Sequence, residues 1–227
     1  ANQIRQPLDN LRFAGTLYGA IIYQKAPIVM RHLENRVGGN TFRRGMREYL
    51  ATYSYGNASW PDLIAILDKL TDEDLNAWSQ VWVSEAGRPN ITVQRQGDDA
   101  LISQQDPQGE GRVWPQTVNV RVGSADASEI YTIELGEKPQ RLVGAGEKDF
   151  ILPNGSGLEY GNFLLDKASR SYLIENISNL ESALLRGAVW VTLWDQLLEG
   201  YLAPSVFTDA LLKAIPIEQD ELVVASL

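Results

Sequence analysis

One tyrosine, one histidine and scattered carboxylates are the side chains in this sequence with chemistry to offer. Tyr23 lies in "IIYQKAP", residues 21–27, where a helix is expected to begin. A phenol at a helix entrance can act as an acid or as a hydrogen-bond donor to an oxygen on which charge develops. Spacing alone favours a plainer reading, a tyrosine half-buried between Ile22 and Pro27. His32 is the only histidine, set in "RHLEN". With no second imidazole and no cysteine, a zinc site would need carboxylates plus one histidine, an uncommon donor set, and with no GxSxG and no partner pattern the sequence does not point to a Ser/His/Asp triad. His32 therefore reads as a surface or packing residue. The acidic runs Asp72-Glu73-Asp74 and Asp98-Asp99 read as a helix N-terminus and a turn. "GSGLEYG" lies between strand patterns rather than at a strand-to-helix turn, so it does not read as a phosphate loop.

The elements that carry these residues fall into three segments. In residues 1–88, Ile22, Ala26, Val29, Leu33 and Val37 recur at helical spacing until Gly38-Gly39. Pro27 is tolerated only in a first turn, so the helix should begin close to Tyr23 and Gln24. A second helix carries Phe42, Met46, Tyr49, Leu50 and Tyr53 on one face, and Arg43, Arg44 and Arg47 on a solvated one. "SWPD", Ser59 to Asp62, has the form of a capping box ahead of Leu63, Ile66, Leu67 and Leu70. "TDED", Thr71 to Asp74, repeats the device before a stripe of Leu75, Trp78 and Trp82. A compact helical bundle follows.

Residues 89–175 change character. Val118, Val120 and Val122 alternate with polar neighbours, as do Tyr131, Ile133 and Leu135, and turn residues separate several further short runs. This predicts a small antiparallel β-sandwich. Residues 176–227 return to helix. "SNLE", Ser178 to Glu181, is expected to cap a helix with Leu180, Leu184, Gly187, Val191, Trp194 and Leu198 on one side and Leu185, Val189, Leu193 and Leu197 on another. A helix apolar on two faces calls for neighbours on both.

Bulk composition narrows the function classes. The chain has 227 residues, 44% of them hydrophobic, with six tryptophans, enough for a real core. A formal net charge of -9 and the absence of a basic stripe argue against nucleic acid as a partner. No run approaches the ~20 apolar residues of a membrane span. The opening "ANQIRQPLDN" has neither an initiator Met nor a hydrophobic signal core, and reads as the middle of a longer protein.

Several blocks in order resemble the gluzincin aminopeptidases, the aminopeptidase N-like zinc exopeptidases. Tyr23, Lys25, Phe42, Tyr49-Leu50, Tyr55, Asn57-Ala58, Asp62-Leu63, Trp78, Trp82, Gly87 and Pro89 fall in that family's sequence, and "LPNGSGLEYG" and "LESALLRGAVWVTLWDQLLEG" are similar to later parts of it. The resemblance implies an α+β multidomain chain. Residues 1–88 would be the helical end of a thermolysin-like catalytic domain, 89–175 a small antiparallel β-sandwich, and 176–227 the start of an α-helical superhelical domain. It implies that Tyr23 stabilises the oxyanion of the tetrahedral intermediate beside zinc. Ala26 departs from the family's usual glycine. The zinc motif H-E-x-x-H, its further glutamate and the amine-binding glutamates lie upstream of the tyrosine in that family, and none is in this sequence. The implied parent is a zinc-dependent aminopeptidase acting on peptides, whose missing upstream catalytic half is a partner of this fragment. The fragment alone would bind no zinc and hydrolyse nothing. A relative that has lost zinc and serves as a binding scaffold is the alternative.

Overall fold

The computed structural model describes residues 2–6, 10, 12, 15, 19, 21–124 and 126–227. The chain divides into two compact units, Ala1–Gly87 and Arg88–Leu227.

In the first unit a π-helical turn, Ile21–Lys25, runs directly into helix α1, Ala26–Val37. Helix α2 is Gly39–Thr52, α3 is Trp60–Asp68, and α4, Leu75–Ser79, widens into a second π-turn at Gln80–Ser84. Val29, Leu33 and Val37 of α1, Leu63, Ile64, Ile66 and Leu67 of α3, and Leu75, Trp78 and Trp82 are all buried. The indoles of Trp78 and Trp82 stack at 5.9 Å between centroids. Gly45 lets α2 approach α3, because a Cβ there would overlap Leu67 Cδ2 and stand 3.2 Å from its Cγ.

Caps explain where these helices begin. The carboxylate of Asp62 accepts from the Ser59 backbone N–H at 2.8 Å and from its hydroxyl at 2.6 Å, as the Ser59–Asp62 pattern predicts. Those bonds, the one from the Ser59 side chain first, hold the Asp62 carboxyl below the usual carboxylate range. The second cap falls on Asp74, not Thr71. Asp74 accepts from Ala77 N–H at 2.9 Å, while Asp68 accepts from Leu75 N–H at 2.9 Å. Thr71 instead closes the preceding turn through Glu73 N–H at 3.3 Å.

In the second unit, strands β1 (Asn90–Gln96), β2 (Asp99–Gln105), β3 (Gln116–Gly123), β4 (Ser128–Leu135), β5 (Gln140–Leu142), β6 (Phe150–Leu152) and β7 (Asn162–Leu164) form two sheets. Their orders are β5-β2-β1-β7 and β4-β3-β6. Alternation sets the registers: Val93 lies opposite Ile102 and Val120 opposite Tyr131. Ile91, Val93, Ile102, Val118, Val120, Val122 and Leu142 meet in one core.

The pairing is not antiparallel throughout, because β1 and β7 run parallel. The chain reaches β7 by a loop from the other sheet rather than by a hairpin, so no tight turn forces reversal. The pair is drawn together by Asn162 N–H on the Pro89 carbonyl at 2.8 Å and by Asn162 Nδ2 on Asn90 Oδ1 at 3.0 Å.

Strand β6 is buried on both faces. Ile151 points into the core between the sheets, whereas Phe150 and Leu152 join a second core built with the helices that follow. Those helices are α5 (Lys167–Asn176), α6 (Ala183–Leu198), α7 (Pro204–Ala214) and α8 (Glu221–Ser226). Ser182 caps α6 by accepting from Leu185 N–H at 3.1 Å. The expected cap, Ser178, lies instead in a 3₁₀ turn, Ile177–Asn179, that prolongs α5. Helix α6 buries Leu185, Val189, Trp190 and Leu193, while Leu184, Val191, Trp194 and Leu198 remain exposed. Arg186 pairs with Glu218 through two 2.7 Å bonds and ties α6 to the segment before α8. Among the described residues no helix is long and apolar enough to cross a membrane.

Candidate functional site

The entrance to α1 is shaped by Pro27. In α-helical geometry its ring would meet the carbonyl four residues back, which is that of Tyr23, and it has no N–H to offer that carbonyl. Widening the preceding turn relieves the clash. The helical run therefore takes in Ile21, two residues ahead of the predicted start, through a π-turn that leads into α1. The Tyr23 N–H donates to the Gly19 carbonyl at 3.0 Å.

Tyr23 is displayed by this turn. It is 69% exposed, which overturns the reading of a tyrosine half-buried between Ile22 and Pro27. An accessible phenol on a helix entrance can donate to an oxygen on a bound substrate.

Lys25, two residues on, behaves in the opposite way. Its side chain turns inward, leaving the residue 7% exposed, and Nζ donates to the Asn2 carbonyl at 2.9 Å. Burial pushes its pKa down to about 8. The segment it grips is fastened at a second point. The N–H groups of Ile4 and Arg5 both donate to the Val83 carbonyl, at 3.0 and 2.9 Å. From the sequence, the resemblance gives Lys25 at most a part in placing the helix entrance; burial on the carbonyl of Asn2 is what the structure adds. The one signal available is that Lys25 and Pro27 both closely follow Tyr23 in "YQKAP".

His32 is buried, with its ring 5.0 Å from that of Trp82. It is a packing residue rather than a surface one. Arg43, Arg44 and Arg47 are exposed, as the solvated-face reading requires. Among the described residues no group of three or more His, Cys, Asp or Glu side chains can hold a metal ion. Trp60 donates through Nε1 to Ser79 Oγ at 2.7 Å, linking α3 to α4 beneath the capped turn.

Comparison with known proteins gives this geometry a setting. Residues 1–82 match the Peptidase family M1 domain. The chain is 26% identical, over 92% of its length, to an Aminopeptidase N of Streptomyces lividans, and covers 27% of that protein. It is 27% identical, over 79% of its length, to Probable M1 family aminopeptidase 1 of Encephalitozoon cuniculi, and covers 21% of it. Among solved structures, aminopeptidase A of Legionella pneumophila in complex with aspartic acid superposes on 99% of the chain with a TM-score of 0.67 at 17% identity. That likeness is one of fold, and the chain covers 28% of the solved one. The chain thus spans about a quarter of the length of the relatives it matches.

Proposed function

We propose, for a chain that belongs to the M1 family of aminopeptidase N-like peptidases, that the protein it is part of is a zinc-dependent aminopeptidase removing N-terminal residues from peptides. Residues 1–88 are the helical end of the catalytic domain, residues 89–175 its β-sandwich neighbour, and residues 176–227 the beginning of a C-terminal helical domain. The observation that carries this reading is Tyr23. It stands exposed on a wide turn at the entrance of α1, inside the stretch that matches the peptidase domain.

The residues of this chain do not fit a catalytic zinc site. The only imidazole is buried against Trp82, and cysteine is absent. No step is therefore assigned to a metal held here, and the 227-residue chain by itself is proposed to be zinc-free and inactive. Its own contribution is electrostatic. As a peptide carbonyl becomes tetrahedral, its oxygen gains negative charge. The Tyr23 hydroxyl donates to that oxygen, and the bond strengthens in the transition state more than in the ground state, which lowers the barrier.

The test is hydrolysis of an aminoacyl anilide by the full-length protein and by the 227-residue chain. Chelator-sensitive turnover by the first and none by the second is the result the reading requires. Turnover by the 227-residue chain alone, or full activity of the longer protein after zinc removal, would overturn it.

A further inference from the structure

Two features of Ile21–Lys25 run against stability. A π-turn is rare as a backbone geometry and is found disproportionately at functional sites. A lysine 7% exposed has given up most of the hydration of its ammonium, which is costly for a charged group. An apolar side chain in its place would suffer no such loss. Unfavourable features held together by their surroundings mark sites where geometry serves function.

The contacts indicate what each feature does. Pro27 excludes α-helical geometry at the Tyr23 carbonyl, so the turn must widen. Lys25 fixes how the widened turn sits. Its Nζ donates to the Asn2 carbonyl at 2.9 Å, and the Asn2 segment is anchored through Ile4 and Arg5 on the Val83 carbonyl. Val83 is itself buried beside Trp82, which is fully buried. A chain of bonds thus runs from the core of the helical unit, through residues 2–5, to Lys25, two residues from Tyr23. The backbone of the turn sets where the Tyr23 side chain leaves the helix.

We infer that Lys25 is a positioning residue: its buried ammonium, bound to the Asn2 carbonyl, holds the wide turn in the register that presents the Tyr23 phenol to the reacting carbonyl. A shift of the widened turn away from residues 2–5 would carry the Tyr23 hydroxyl off the reacting carbonyl, and misplacement of a catalytic group by about 1 Å costs on the order of 100-fold. This inference rests on the reading of Tyr23 as an oxyanion donor.

A double-mutant cycle in the full-length protein separates the two ideas. The readouts are kcat and KM for an aminoacyl anilide. Tyr23→Phe is expected to lower kcat by roughly 100-fold. Lys25→Met is expected to lower kcat by about 10- to 100-fold, as misplacement of a catalytic group does, with KM changed by less than about twofold. In the Tyr23→Phe background Lys25→Met should change kcat by less than about twofold, because the hydroxyl it positions is gone. Equal losses in both backgrounds would make Lys25 a general structural residue and overturn the inference. So would wild-type kcat in Lys25→Met beside a crippled Tyr23→Phe, an outcome that leaves the role of Tyr23 standing. Wild-type kcat in Tyr23→Phe would remove both. Should Lys25→Met not fold, Lys25→Gln, which keeps a donor of shorter reach, takes its place with the same expectations.

Discussion

Replacing Gly45 with alanine tests the packing of the helical unit most sharply, because two opposing effects can be separated. On helical propensity alone the substitution should stabilise by about 1 kcal/mol. The new Cβ, however, would overlap Leu67 Cδ2 and lie 3.2 Å from Leu67 Cγ. Leu67 is fully buried and has little freedom to withdraw. Overpacking of that kind costs about 1–3 kcal/mol. The net expectation for Gly45→Ala is a loss on the order of 1 kcal/mol. Truncating Leu67 removes the clash. Leu67→Ala alone should cost about 2–5 kcal/mol through the cavity it leaves, but in that background Gly45→Ala should stabilise by about 1 kcal/mol. The assay is denaturant unfolding followed by tryptophan fluorescence, with Trp114, Trp190 and Trp194 of the second unit replaced by Phe in every variant so that Trp60, Trp78 and Trp82 report alone. The signature is a reversal of sign between the two backgrounds. Stabilisation by Gly45→Ala in the wild-type background would refute the close approach of α2 and α3.

Two further predictions concern the second unit. Ser182→Ala should destabilise by about 1 kcal/mol through loss of the α6 cap, while Ser178→Ala should be close to neutral; equal effects in a thermal melt would contradict the cap assignment. Glu218 has its pKa lowered to about 2, first by its hydrogen bonds from Arg186. A depressed carboxyl stabilises above its unfolded value and loses that contribution as pH falls through the folded one. The stability gap between wild type and Glu218→Gln should therefore be constant above about pH 4.5 and close toward about pH 2; a gap that does not narrow on acidification would count against the Arg186–Glu218 pair.

Local signals in the sequence were informative where one residue type decides the outcome. Ser59 and Asp62 are the one suitable pair at their helix start, and the capping pattern gave the start of α3 directly. Alternation did the same for β3 and β4, whose inward valines fix the register. Where two candidates compete nearby, spacing misled. Thr71 and Asp74 can both cap a helix, and so can Ser178 and Ser182. The choice falls to whichever start lets the apolar stripe reach the core, a tertiary matter. The parallel β1–β7 pair was invisible for the same reason, since direction is set by a loop crossing between sheets. At the candidate site, Tyr23 and Pro27 were legible as types. The π-turn was not, because Pro27 in the sequence reads as lying in a first turn, and the inward turn of Lys25 was not, because it depends on a carbonyl 23 residues away in sequence.

The central claim is that Tyr23 supplies an oxyanion donor to an aminopeptidase. The direct measurement is the kcat of Tyr23→Phe in the full-length protein, where a single hydroxyl is removed. A loss of roughly 100-fold or more, with the protein folded and KM little changed, is the predicted result. Undiminished turnover would contradict the account.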